Sequence, residues 1–311
     1  MSANLTTLQQ QSASGDARAQ FALGSRMLVG RDAPYAPEEA LRLIAAAAAQ
    51  AEPAALNLSA VLAALGVGRK QSWDEAYALV ARAAPAGDAR AQGQIALLGA
   101  GRGEEAFAGP VTQDAFEAPR VRTFPGFLSR ATRAWIMERA RPALAAARVK
   151  NPERGGANVD SIRNNSGMGF SVLDTDLVIQ LVHARIAAAI GVPVMHQEPT
   201  NILHYTPGQE YKPHFDFLDP GVAHFAGEVQ RLGQRTVTFL IYLNDDYEGG
   251  ETAFPRLDWR FKGKAGDALA FWNVTPDGRP DPLTLHAGTA PTRGEKWLLS
   301  KWVRDRPLPL I

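Results

Sequence analysis

Tyr205-Thr206-Pro207-Gly208-Gln209-Glu210-Tyr211-Lys212-Pro213-His214-Phe215-Asp216 is the stretch on which the reading of this chain turns. A Pro-Gly turn signal separates two runs that end or begin in tyrosine, and His214 and Asp216 stand two positions apart. On a strand, where side chains alternate with period two, that spacing sends both to one face. The strand grammar continues on both sides. Candidate strands are Asn201–Tyr205, Tyr211–Phe217, Thr236–Leu243, Glu251–Phe254, Asp267–Phe271, Thr284–Ala287 and Lys296–Val303, with turn signals such as Glu248-Gly249-Gly250 and Pro276-Asp277-Gly278 between them. Many short strands with regular turns predict a sandwich or jelly roll. Supporting helices are expected over 130–147, with Ser129 as N-cap, and from Leu173 to Ile190, stopped by Gly191 and Pro193.

The first third has a different grammar. Gly15-Asp16-Ala17-Arg18-Ala19-Gln20 recurs identically as Gly87-Asp88-Ala89-Arg90-Ala91-Gln92, and Ala51-Glu52-Pro53-Ala54-Ala55-Leu56 is a degenerate copy midway. Glu38-Glu39-Ala40-Leu41 and Asp74-Glu75-Ala76-Tyr77 keep the same 36-residue offset, as do Gly30 and Gly66. A two-helix unit of that length, rich in alanine that lets helices approach closely, predicts a helical solenoid. The predicted class is α+β multidomain: helical repeats over 1–108, a Gly/Pro-bearing linker over 109–120, and a second domain over 121–311.

Bulk properties narrow the function. With 46% hydrophobic and 21% charged residues the chain has an ordinary globular core, and a net charge of +1 without a basic run gives no nucleic-acid or anionic-membrane surface. The absence of cysteine excludes disulfides, Cys-ligated zinc and thiol catalysis. Apolar runs such as Ile44 to Ala49 are far below the ~20 residues of a membrane helix, and Met1 to Gln11 does not read as a signal peptide. The expected location is cytoplasmic.

His286, seventy residues beyond Asp216, completes a set of two histidines and one carboxylate if the chain folds back. That facial set leaves metal positions open and is the donor set of non-haem Fe(II) oxygenases. Lys296, ten residues further and amid Trp297, Leu298 and Leu299, would pair with the far carboxylate of a chelating 2-oxo acid, because a buried charge needs a partner. Singly, each histidine is more often a structural strand residue than a ligand, and Lys296 alone reads as a surface lysine. Their coincidence with predicted strands is what makes the set specific. His183, His196, His204 and His224 are excluded by position. The insertion Leu218 to Gly233 reads as a lid.

These residues carry two resemblances. Residues 13–100 resemble Sel1-like repeats, relatives of the tetratricopeptide family. Residues 120–304 resemble the prolyl 4-hydroxylase family of Fe(II)/2-oxoglutarate dioxygenases. The match runs through the quoted stretch, Gln234-Arg235, Gly249-Gly250-Glu251-Thr252, Gly266-Asp267-Ala268-Leu269, Leu285-His286-Ala287-Gly288 and Gly294-Glu295-Lys296-Trp297. The resemblance implies a double-stranded β-helix (jelly-roll) domain that hydroxylates a prolyl or similar residue in a peptide or protein while 2-oxoglutarate becomes succinate and CO₂. It implies His214, Asp216 and His286 as iron ligands, and Lys296, Tyr205 and Thr252 around 2-oxoglutarate. Arg163, Glu198, Tyr211, Arg235 and Trp302 fall on peptide-contacting positions. O₂ is the oxidant and L-ascorbate the rescuing reductant. Arg304 departs from the family, where a peptide-contacting histidine can stand. The repeats would present the substrate or only pack on the second domain. Other readings are an oxygenase of a free amino acid or small molecule, a non-catalytic adaptor, and a zinc hydrolase, for which no general base stands out.

Overall fold

The computed structural model describes residues 4–99, 109–146, 149–151, 156–158 and 163–309. Its helices are Leu5–Ala13 (α1), Ala17–Val29 (α2), Pro37–Ala49 (α3), Pro53–Leu65 (α4), Trp73–Ala83 (α5), Ala89–Leu98 (α6), Arg130–Ala140 (α7), Leu177–Ile190 (α8) and Ala223–Leu232 (α9). Its strands are Gln113–Phe116 (β1), Val121–Phe124 (β2), Ala145–Ala146 (β3), Val149–Asn151 (β4), Gly156–Asn158 (β5), Ser166–Phe170 (β6), Thr200–Tyr205 (β7) and Tyr211–His214 (β8). They continue with Arg235–Tyr242 (β9), Glu248–Gly249 (β10), Thr252–Phe254 (β11), Trp259–Phe261 (β12), Ala268–Trp272 (β13), His286–Gly288 (β14), Pro291–Arg293 (β15) and Lys296–Arg304 (β16). Two compact units result. One gathers the N-terminal helices with Ser171–Ala187; the other gathers Gly109–Phe170 and Ala188–Leu308.

In the helical unit, α2, α4 and α6 begin at residues 17, 53 and 89, and α3 and α5 at 37 and 73, so the 36-residue period is structural. The repeated Gly-Asp explains the helix starts. Gly15 and Gly87 take left-handed φ values of 91° and 84°, and the Asp16 and Asp88 carboxylates accept from the Ala19 and Ala91 amides at 2.7 and 2.6 Å. Such a cap satisfies one of the orphan donors of a first helical turn. The degenerate copy places Ala51 at φ 60°, and Glu52 makes no side-chain cap. Pro53 at the first helical position compensates, since no donor is needed there.

Helix α4 is buried from Ala55 to Ala64 on every face. Part of its cover is Ser171–Ala187, which the sequence divides into the 121–311 domain. Val172 and Leu173 pack on the Leu28, Leu58 and Leu62 cluster, and the Leu177 amide donates to Gln94 Oε1 at 2.9 Å. Gln94 in turn donates to Asn57 at 2.8 Å, and Arg90 holds the Thr175 carbonyl. The helix expected from Leu173 starts at Leu177, after a turn, with Asp176 accepting from the Ile179 amide at 3.0 Å.

The β unit is an antiparallel jelly roll. The eight-stranded sheet runs β1-β2-β13-β9-β16-β7-β6-β3, and the four-stranded sheet runs β12-β11-β14-β8. Leu203, Tyr205, Leu240, Tyr242 and Leu298 from the large sheet pack with Phe254 of the small one. Strand β16, between β9 and β7, is buried along its whole length except at Trp302. Three expectations change. The linker over 109–120 contains β1, paired with β2. The helix over 130–147 ends at Ala140, followed by a 3₁₀ turn at Arg141–Ala143, because Pro142 cannot donate and restricts its predecessor; residue 147 lies outside the described residues. The insertion after Leu218 folds as α9.

Candidate active site

Strands β8 and β14 pair so that His214 and His286 are direct partners. Their ring centroids lie 4.3 Å apart. Each Nδ1 bonds a backbone carbonyl two residues upstream, His214 to Lys212 at 2.8 Å and His286 to Thr284 at 3.0 Å. A carbonyl only accepts, so each Nδ1 carries the proton and each Nε2 offers its lone pair inward. Those Nε2 atoms approach the Asp216 carboxylate at 3.7 and 3.4 Å. Among the described residues this is the one cluster of three such side chains whose ligand atoms all lie within 4.8 Å of one another.

The route to Asp216 differs from the sequence argument. Strand β8 stops at His214 rather than Phe217, so alternation does not aim the carboxylate. A hydrogen bond does: Thr238 Oγ1 donates to Asp216 Oδ2 at 2.7 Å, and Asn273 Nδ2 donates to Thr238 Oγ1 at 3.0 Å. Because its oxygen accepts from Asn273, the Thr238 hydroxyl has its proton directed at Asp216. Pro213 is tolerated because β8 is a sheet edge. Burial, then the neighbouring His286, pushes His214 down to about 3, so the ring is neutral and able to ligate near pH 7. Burial pushes Asp216 up, but the two imidazoles and the Thr238 hydroxyl outweigh it and hold it low.

One cavity is lined by the three candidate ligands and by Lys296, Tyr205, Thr252, Tyr211, Arg163 and Trp302. Lys296 is 0% exposed, and its Nζ has no hydrogen-bond partner. Burial pushes it down to about 7, against the pull of Glu251. It sits 5.2 and 5.7 Å from the ring centres of Tyr205 and Tyr242. Tyr242, not named as a site residue from the sequence, bonds Thr252 Oγ1 at 2.7 Å and donates to the Phe261 carbonyl at 3.0 Å. Gly250 has a reason beyond its turn: at φ 71°, a Cβ there would lie 2.8 Å from the Tyr247 ring.

Arg163 lies over the Tyr211 ring at 4.9 Å, and Tyr211 stacks on His214. Glu198 and Arg235 are not among the cavity-lining residues. Arg235 grips Glu198 through two bonds of 2.7 and 2.9 Å and covers the Trp302 ring at 3.7 Å. The excluded histidines stay apart: His204 bonds Glu295 at 3.0 Å and His196 bonds the Arg304 carbonyl at 3.0 Å.

Residues 200–304 match the model of the 2OG-Fe(II) oxygenase superfamily. A probable prolyl 4-hydroxylase 10 of Arabidopsis thaliana is 34% identical over 206 residues, covering 60% of this chain and 69% of that protein. The chain belongs to the prolyl 4-hydroxylase family. It is a 2-oxoglutarate-dependent dioxygenase that uses Fe(II) and O₂. Among solved structures, a viral collagen prolyl hydroxylase from Paramecium bursaria Chlorella virus-1 is 24% identical, covers 59% of this chain and 95% of its own, and has a TM-score of 0.45. A Sel1 repeat protein from Oxalobacter formigenes is 31% identical, covers 30% of this chain and 71% of its own, and has a TM-score of 0.29. For a family member the donor set fits Fe(II), and the partnerless ammonium of Lys296 fits a diacid. Tyr242, Thr238 and Asn273 are the residues the sequence reading missed. Thr238 and Tyr242 share the site-facing parity of β9 with Leu240, which was the available signal.

Proposed function

We propose that this dioxygenase hydroxylates a prolyl, or similar, residue of a peptide or protein. His214, Asp216 and His286 would hold Fe(II), and Lys296, with Tyr205 and Thr252, would hold the distal carboxylate of 2-oxoglutarate. The observation that carries the assignment is a fully buried ammonium without a partner in the same cavity as the three-ligand cluster. Bound there, iron with 2-oxoglutarate and O₂ supplies the oxidising chemistry that hydroxylates substrate and leaves succinate and CO₂. The chain's own part is electrostatic and positional. Backbone carbonyls fix both imidazole tautomers, Thr238 fixes the carboxylate, and the apolar walls of Phe254 and Phe271 around His286 exclude water.

Arg163, Tyr211 and Trp302 would line the peptide's side of the cavity, with Glu198 and Arg235 behind Trp302. The Arabidopsis thaliana relatives are named as probable prolyl 4-hydroxylases, and this supports the peptide reading over a free amino acid. L-ascorbate belongs to the proposal as reductant after uncoupled turnover. Presentation of the substrate by the helical repeats is a further part of it. Gln94 is engaged with the chain's own Leu177 segment and Asn57 with Gln94, so presentation would use outward-facing residues.

Succinate release from 2-oxoglutarate under Fe(II) and O₂, with and without proline-containing peptides, tests the reading. Stimulation by peptide with a +16 Da product supports it; stimulation by a free amino acid alone would replace it with the small-molecule reading. His214→Ala should reduce turnover at least about a hundredfold, since even partners behind the ligands are worth ten- to a hundredfold. Full activity in that variant would remove His214 from the ligand set.

A further inference from the structure

Arg304, the position at which the chain departs from its family, is only 2% exposed. Its guanidinium is spent in three directions. Nε donates to Glu198 Oε1, Nη1 to the Gly233 carbonyl and Nη2 to Glu228 Oε1, each at 2.6 Å. Glu198 is the carboxylate that Arg235 grips from the other side. Burial alone would push the Glu198 carboxyl up, but the two guanidinium groups outweigh it. Two arginines and two glutamates thus form one network of zero net charge, centred on buried Arg304 with the other three half-buried, running from α9 through Arg304 and Glu198 to Arg235 and the face of Trp302.

Helix α9 has no fully buried side chain, and its apolar residues Phe225, Val229 and Leu232 are only half-buried. Its attachments are polar. Gln234 takes both backbone groups of Leu218, at 2.8 and 2.7 Å, where the chain leaves the ligand stretch. Arg306 reaches the Gln230 carbonyl at 3.3 Å, and Arg304 takes Glu228 in mid-helix and Gly233 at its end. The segment that reads as a lid in the sequence is therefore stapled, and its strongest staple is the residue that also fixes Glu198.

We propose that Arg304 is a positioning residue that couples the seating of helix α9 to the orientation of Arg235, so that the peptide-side arginine is held in place only while α9 is docked. The part concerning peptide rests on the function proposed above; the part concerning α9 does not. Arginine is required because its planar fork can serve two carboxylates and a carbonyl at once, which a lysine ammonium cannot do from one fixed geometry.

Hydrogen exchange and steady-state kinetics on the full chain test this, comparing wild type with Arg304→Lys and Glu228→Gln and using poly(L-proline) as the peptide probe. Exchange across Ala223–Leu232 should quicken about tenfold or more in both variants, as expected when a locally opening element loses its tether. In Arg304→Lys the KM for poly(L-proline) should rise about tenfold while that for 2-oxoglutarate moves less than about twofold, a split that general damage does not produce. Glu228→Gln should raise the peptide KM by a smaller factor of about three. Unchanged exchange in α9 in both variants, or a parallel rise of both KM values, would overturn the proposal. If Arg304→Lys fails to fold, exchange in Glu228→Gln decides. If wild type is not stimulated by poly(L-proline), the peptide reading fails on that probe, and exchange in α9 still decides the role of Arg304.

Discussion

Lys296 and Lys301 stand five residues apart on β16 and project from its opposite faces. Both are buried, at 0% and 2% exposure, and burial pushes both down to about 7. Their partners differ. Lys301 Nζ donates to Thr200 Oγ1 at 2.9 Å, whereas Lys296 Nζ has no hydrogen-bond partner and lies 5.2 and 5.7 Å from the centres of two tyrosine rings. A buried cation with an internal partner belongs to the scaffold. One without a partner costs stability that only a ligand can return. The contrast separates the two faces of the strand: Lys296, Leu298, Ser300 and Trp302 line the cavity, and Trp297, Leu299, Lys301 and Val303 do not.

The largest effect expected from this contrast is on co-substrate binding. Lys296→Met should weaken 2-oxoglutarate by about 2–4 kcal/mol, the range for a buried charged hydrogen-bonded pair, read as a KM increase of thirtyfold or more on the same scale. Lys301→Met should leave that KM within about twofold, since no ligand pairs with it. Equal losses in the two variants would erase the distinction between the faces.

Stability should move in opposite directions. Without ligands, Lys296→Met removes a partnerless buried cation and should raise the melting temperature, whereas Lys301→Met strands Thr200 and should lower it; each change is expected at about 1–3 kcal/mol. A calorimetric scan of both variants without iron or co-substrate checks the signs. Both variants shifting downward would contradict the claim for Lys296.

The pH dependence sharpens the point. The Lys296 pKa is lowered in the fold, so the unfolded chain binds more protons between about 7 and the ordinary lysine value of 10.5. The penalty on folding is therefore full below 7 and fades as pH rises through that window. Binding a diacid needs the ammonium, so 2-oxoglutarate affinity should fall as pH rises above 7, by up to about tenfold per unit. Titration of metal-loaded protein from pH 6.5 to 9 measures it; a flat profile would mean that Lys296 is not the anchor.

The smallest effect comes from the helical unit, where strain rather than buried charge is at issue. Ala51→Gly relieves a left-handed alanine and should stabilise that unit by about 1 kcal/mol, visible as a higher denaturation midpoint. No gain there would mean that the lost alanine side chain matters more than the strain.

How much of this was legible in the sequence follows from how local each signal is. The 36-residue period needed only neighbouring helices, so the Gly-Asp repeat could be read directly, whereas the capping role of Asp16 and Asp88 came from the structure. His214, His286 and Lys296 were legible as a joint pattern. Asp216 was found for an incomplete reason, because its aim comes from Thr238, a residue on another strand. Tyr242 and Asn273 were missed for the same cause: each acts through a partner in a different element, and nothing in its own neighbourhood marks it. Ser171–Ala187 reads as part of the second domain because it lies among that domain's residues in sequence, yet Gln94 and Arg90 draw it into the helical unit. The alternation expected of a strand was absent from β16 because a central strand is buried on both faces.

Anaerobic equilibrium binding of Fe(II) and then 2-oxoglutarate, in wild type, His286→Ala and Lys296→Met, bears most directly on the joint site. One iron per chain, its loss in His286→Ala, and retained iron with weakened 2-oxoglutarate in Lys296→Met are the predicted results. Full iron binding without His286, or undiminished 2-oxoglutarate binding without Lys296, would contradict it.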